Sequence, residues 1–110
     1  MGGKKRRSRY IIVKMGDRRK RSKYEIVHDI LEAISPGENI MYIMYKSNLS
    51  YTVTRKYVDR LKAKGLIMQK DRTYYLTEKG IKLLDVLKQY KQKKEELKQL
   101  LQNIAELYGE

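Results

Sequence analysis

The residues of this 110-residue chain that can do chemistry are mostly cationic: 26 lysines and arginines stand against 13 aspartates and glutamates, with one histidine and no cysteine. Without thiols, neither a disulfide nor a thiolate metal site can form. His28 lacks the partner residues that would make it a metal ligand or a catalytic base, and it reads as an ordinary surface or boundary residue. Ten tyrosines raise the thought of covalent strand cleavage, but no arginine–histidine constellation accompanies them. Tyr24, Tyr42, Tyr45, Tyr57 and Tyr75 read instead as core or boundary aromatics. No glycine-rich phosphate loop and no paired acid–base site is evident, so no catalytic residue, metal or cofactor is expected. The chemistry that remains is recognition of a polyanion.

Two groups of residues could perform it. Residues 1–22 hold ten Lys/Arg against Asp17, a net +9, whereas residues 23–77 carry +3 and residues 78–110 carry +1. In this basic N-terminal arm Lys4, Lys5, Arg6 and Arg7 form one cluster and Arg18, Arg19, Lys20 and Arg21 a second. Both suit phosphate contact. The β-prone run Tyr10–Val13 separates them, and self-repulsion argues against structure in the arm alone. The plainer reading is a solvated tail with a small hydrophobic tether.

The second group is Tyr51, Thr52, Arg55, Lys56 and Lys62, which helical spacing sets on the side opposite Val53, Tyr57 and Leu61. Arginine can donate two parallel bonds to guanine, and lysine or threonine can reach phosphate. Lys70 and Arg72 flank a tight turn at Asp71-Arg72 and are placed to touch a neighbouring phosphate.

These residues need elements to position them. Ile26, Val27, Ile30, Leu31 and Ile34 mark a first helix over about 24–34, ended by Ser35-Pro36-Gly37. Asn39 can cap a short second helix over 40–46, with Ile40, Ile43 and Met44 inward. Ser47-Asn48-Leu49 is the turn into a third helix, capped by Ser50 and stopped at Gly65. Leu66–Met68 and Thr73–Leu76 read as paired strands, and Thr77 caps a last helix with Glu78 in its first turn. The expected fold is mainly α, an α+β winged helix-turn-helix: three short helices, a two-stranded wing hairpin and a long C-terminal helix.

The segments MYIMYKSNLSY, KGLI and YYLTEKG carry a resemblance. Over roughly residues 23–108 the chain resembles the small archaeal chromatin-type winged-helix DNA-binding proteins. That resemblance implies a homodimer joined by an antiparallel coiled coil of C-terminal helices. The basic arm lies outside the family pattern.

The last helix, about 46 Å long at 1.5 Å per residue, exceeds what so small a domain can cover. Leu83, Tyr90, Leu97 and Ile104 occupy one heptad position, and Leu87, Lys94, Leu101 and Tyr108 the other. Ile81 and Leu84 are expected to pack on the winged domain. The remainder calls for a partner, most simply an identical chain, with Leu87, Tyr90, Leu97, Leu101, Ile104 and Tyr108 as the dimer interface. Residues 85–94 carry a net +3 and residues 95–110 a net −3, which favours antiparallel pairing.

The organisation expected is therefore an arm over 1–22, a winged domain over 23–77 and a dimerisation helix over 78–110. Double-stranded DNA is the expected partner, in an architectural or a regulatory role. The alternative is a protein-interaction module whose arm binds RNA or an acidic protein. No apolar run is long enough to cross a bilayer and no signal-peptide core is present, so a cytoplasmic, nucleoid-associated protein is expected. A charged fraction of 35% without cysteine suits a thermophile.

Overall fold

The structure is a computed structural model, and it describes residues 21–110. The arm clusters Lys4–Arg7 and Arg18–Lys20, with the run Tyr10–Val13, lie outside the described residues.

The first helix among the described residues, α1 (Lys23–Ile34), opens with a capping box. The Ser22 hydroxyl accepts from the Glu25 amide at 3.2 Å, while the Glu25 carboxylate accepts from the Ser22 amide at 2.8 Å. Two of the four amides that a helix start leaves orphaned are thereby satisfied. A short strand β1 (Gly37–Glu38) follows, then α2 (Ile40–Ser47), capped by the Asn39 side chain. Asn48 takes the left-handed conformation (φ 58°) and turns the chain into α3 (Tyr51–Ala63), which the Ser50 hydroxyl caps through the Val53 amide. The hairpin is β2 (Ile67–Lys70) and β3 (Thr73–Leu76), with Lys70 opposite Thr73 and Asp71 left-handed at the tip. The chain ends in α4 (Glu78–Tyr108), 31 residues long and capped by Thr77.

The winged layout is the one expected, with one addition. β1 pairs antiparallel with β3, giving a three-stranded sheet in the order β1-β3-β2. Two residues carry too little pattern to announce a strand, and only the neighbour across the sheet defines it.

Helix α1 lies at the centre, touching α2, α3, α4, β1 and β3. Its Ile30, Leu31 and Ile34 are sealed from solvent together with Ile43 of α2 and Val58 of α3. Ala33, Leu61, Leu66, Ile67, Tyr74, Leu84 and Leu87 complete the core. Gly80 sets how closely α4 approaches it: a Cβ there would run into the Leu66 carbonyl oxygen, so only glycine permits the first turn of α4 to lie on the residue that leads into β2.

Several placements differ from the sequence expectation. His28 is buried, not a surface residue. Its Nδ1 lies 2.9 Å from Asp29 and its Nε2 3.5 Å from Glu32, so burial is offset by polar partners. Ile81 is exposed, and of the two residues assigned to the junction only Leu84 is inside. Tyr24, Tyr42, Tyr45 and Tyr75 are exposed and Tyr57 is half-buried; among the described residues the buried tyrosine is Tyr74. Strand alternation sends Tyr74 inward and its neighbour Tyr75 outward, and only the sheet's orientation decides which of the two is inside.

Candidate nucleic-acid interface

Helix α3 is held by its apolar side. Thr54, Val58 and Leu61 are buried, and the Thr54 hydroxyl donates to the Ser50 carbonyl at 2.8 Å. The opposite side carries Tyr51, Thr52, Lys56 and Lys62 into solvent, as the spacing implied. Lys62 is also a strut: its Nζ donates to Gln69 Oε1 at 2.8 Å, and Gln69 Nε2 donates to the Asp71 carbonyl at 2.9 Å. Helix, strand and wing tip are thus tied into one surface. Lys70 and Arg72 stand exposed on either side of Asp71 at that tip.

Arg55 is more constrained than an outward-pointing side chain. Its Nη2 donates to the Tyr74 hydroxyl at 2.8 Å and to Asp59 Oδ1 at 3.0 Å, and its Nε reaches the same carboxylate at 3.3 Å. The Tyr74 phenol first, and Asp59 second, push its pKa still higher. About a third of the side chain remains exposed. The guanidinium is therefore aimed by two partners before any ligand arrives, which lowers the entropy lost when it donates to an anion.

Arg21 differs from the role the sequence suggested. Its Nη1 donates to Asp29 Oδ2 at 2.6 Å and to the Ser47 carbonyl at 2.9 Å, and its Nη2 reaches the Asn48 carbonyl at 3.3 Å. Instead of standing free for phosphate, Arg21 clamps the turn between α2 and α3 to α1. The tie brings together residues 26 and 27 positions apart, a spacing that leaves no local pattern. Asp29 is its anchor. Burial opposes the Asp29 charge, but hydrogen bonds from His28 and Arg21, with Lys91 nearby, hold its carboxyl below the usual range.

Met41 and Tyr45 stand exposed on the outer side of α2, Tyr45 at 80% where a core or boundary place was expected. The signal was available: helical spacing sets both residues opposite the inward Ile43. The eight-residue helix α2 thus carries apolar bulk on both sides.

On α4 the residues expected at the dimer interface divide. Leu87 is 5% exposed and belongs to the monomer core, a correction to its assignment as an interface residue. Lys94, expected in the heptad seam, lies 3.2 Å from Glu25 of α1, and Lys91 lies 3.7 Å from Asp29. Tyr90 meets Tyr24 edge to face, centroids 6.3 Å apart. Leu97, Leu101, Ile104 and Tyr108 are exposed, joined by Leu100 and Leu107.

With this geometry the comparisons decide the family. The winged helix-turn-helix family profile matches residues 20–95. The chain belongs to the winged helix-turn-helix family. An uncharacterized protein of Methanocaldococcus jannaschii is 41% identical over 71 residues, which are 64% of this chain and 73% of that protein. Among solved structures, Sso10a-2, a DNA-binding protein from Sulfolobus solfataricus, aligns with a TM-score of 0.72 and 30% identity. The match covers 79% of this chain and 96% of that one. Ligand-free NadR aligns with a TM-score of 0.52 at 16% identity, over 84% of this chain and 80% of that one, a likeness of fold alone. The winged helix-turn-helix fold and the archaeal origin of the Methanocaldococcus and Sulfolobus proteins agree with the resemblance carried by MYIMYKSNLSY, KGLI and YYLTEKG. Among the described residues no group of His, Asp and Glu could hold a metal, and no helix is long and apolar enough to cross a membrane.

Proposed function

We propose that this winged helix-turn-helix chain is a homodimeric double-stranded DNA-binding protein with an architectural or regulatory role. The observation that carries the reading is the continuous surface of α3 and the wing. Tyr51, Thr52 and Lys56 lie exposed on it, Arg55 is aimed by Tyr74 and Asp59, and Lys70 and Arg72 flank the tip. A B-DNA major groove about 12 Å wide admits one helix, and α3 has the free side to enter it. The DNA-binding description of Sso10a-2, similar over nearly its whole length, supports the assignment.

Residues 1–22 then act as a basic arm whose cations other than Arg21 add phosphate contacts, residues 23–77 as the DNA-binding domain, and residues 78–110 as the dimerisation helix. The exposed apolar stripe of α4 needs a partner. A second copy in antiparallel orientation sets the basic stretch 85–94 beside the acidic stretch 95–110. Two winged domains at opposite ends of a rod can bridge, bend or compact duplexes.

The test is duplex binding measured against salt, with random DNA and a genomic pool. Enrichment of one short site marks a regulator, and a flat profile marks an architectural protein. Deleting residues 1–20 should lower the slope of log K against log[salt] by about 0.9 for each phosphate the arm had neutralised. Arg55→Ala should cost about 1–3 kcal/mol and relax sequence preference if the side chain reads a base. Equal weakening on every sequence makes Arg55 a phosphate contact, and an unchanged affinity moves the binding surface away from α3.

A further inference from the structure

Arg55 and Lys62 face the wing from one flank of α3, and helical spacing sends Tyr57, Arg60 and Lys64 to the other. That second flank faces the starts of α1 and α4 across a groove of about 410 Å³. The floor of the groove is core: Leu61, Leu66 and Leu87 are buried. Its walls are Val27, Tyr57 and Leu83, which pack on that core and are half-buried themselves. Lys23, Arg60 and Lys64 stand exposed at the rim, and no carboxylate among the described residues lines it. The ion pairs among the described residues include none of these three cations. Two of them lie over aromatic rings instead. The Arg60 guanidinium is 5.8 Å from the centre of the Tyr57 ring and Lys23 Nζ is 6.0 Å from that of Tyr24. A ring face steers a cation without neutralising it.

The larger groove along the middle of α4 makes the contrast. There Lys94 lies 3.2 Å from Glu25, and Glu95 adds a second carboxylate, so that groove supplies its own counter-charge. The groove behind α3 offers only apolar surface and positive charge. Its complement is a molecule with an apolar body and a negative end. A carboxylate suits Arg60 best, because a guanidinium can donate two parallel bonds to it. A phosphate chain would press its charge against Val27 and Leu83, which have no hydrogen bond to return. The volume lies near the lower end of the range of about 300–1,000 Å³ typical of small-molecule sites, so the body must be compact. We propose that this groove is a binding site for a small aromatic monocarboxylate, its ring between Val27, Tyr57 and Leu83 and its carboxylate on Arg60 and Lys64.

Position and environment both favour this occupant. Arg60 and Lys64 are four residues apart on one helix, a spacing that brings two side chains to the same spot. Lys23 closes the rim from α1. The buried leucines behind the site keep water from one side of the ligand, which strengthens each charge-assisted bond relative to the open surface. The three helices that form the groove are already packed on one another through the core, so a ligand meets a formed site and little ordering free energy is lost. Every wall belongs to a single chain. The site therefore stands independently of the DNA-binding and homodimer readings.

The test titrates the full isotope-labelled chain with 2-naphthoate and follows the backbone amides by NMR. Saturable shifts centred on Val27, Tyr57, Arg60 and Leu83 are expected. Neutral 2-naphthamide, nearly the same body without the charge, should bind at least about tenfold more weakly, the loss of one charge-assisted hydrogen bond. Inorganic phosphate at the same concentration should leave these amides unmoved. Arg60→Gln with Lys64→Gln exchanges two exposed side chains. It should weaken naphthoate at least about tenfold and leave both the naphthamide affinity and the thermal midpoint where they were. Equal affinity for acid and amide, or an equal loss of both in the double variant, overturns the carboxylate's role. Shifts that fail to saturate, or that centre elsewhere, overturn the site. A parent chain that gives no shift, beside a Leu97→Glu, Leu101→Glu chain that does, means that a second copy fills the groove, and this too overturns the proposal.

Discussion

The two halves of α4 share one helix and nearly the same density of leucine, but they meet different surroundings. In the first half, Gly80, Leu84 and Leu87 are buried against α1 and the residue that leads into β2. In the second half, Leu97, Leu100, Leu101, Ile104, Leu107 and Tyr108 are all more than half exposed. Lys91 and Lys94 mark the crossover, where contact with α1 passes from apolar packing to ion pairs with Asp29 and Glu25. A hydrophobic stripe thus states a need for burial, not what will supply it. A segment of about fourteen residues is marginal as an isolated helix in water. On the homodimer reading proposed above, the far half draws its stability from a partner surface, while the near half draws its own from the winged domain.

The largest effect is expected from substitutions in the far half alone. Leu97→Glu with Leu101→Glu removes four buried leucines from a two-fold dimer, each contributing about 1.5–3 kcal/mol, and adds carboxylates to an apolar seam. Sedimentation should show a monomer at micromolar concentration. Circular dichroism should show helix lost only at the C-terminal end, with the winged domain still folded. A variant that remains a dimer would place the interface elsewhere.

A smaller effect should appear in the near half, and in a different measurement. Leu84→Ala opens a cavity against α1 and should cost about 2–5 kcal/mol, read as a lower denaturation midpoint. If Leu84→Ala instead lowers dimer affinity at unchanged domain stability, the division between the halves is drawn in the wrong place.

The smallest effect concerns the crossover. The Asp29 carboxyl is held below its usual value despite burial, by His28, Arg21 and Lys91. A depressed folded pKa means that the unfolded chain takes up the proton first as pH falls. The stabilisation is therefore complete above about pH 4, near the unfolded value, and is lost progressively as pH falls through the lower folded value. Asp29→Asn should flatten that acid limb of the stability profile. Glu25, similarly lowered by the Ser22 backbone and Lys94 after burial has opposed it, acts in the same direction. An unchanged acid limb in the Asn variant would mean that Asp29 is not coupled to folding.

Much of this architecture was legible because it obeys short-range rules. Ser50, Asn39 and Thr77 cap their helices through amides three residues ahead, and such caps depend on spacing alone. The 3.6-residue period located all four helices among the described residues. The left-handed Gly65 at φ 75° and the exposed side of α3 followed from the same local logic. Tertiary structure decided the rest, because it depends on pairs distant in the chain. It chose Tyr74 over Tyr75 for the core and drew Leu87 inward. It turned Lys94 toward Glu25, and it committed Arg21 to Asp29 and the α2–α3 turn. A periodic pattern fixes which residues share a side of an element, but the identity of what lies opposite is set only when distant elements pack.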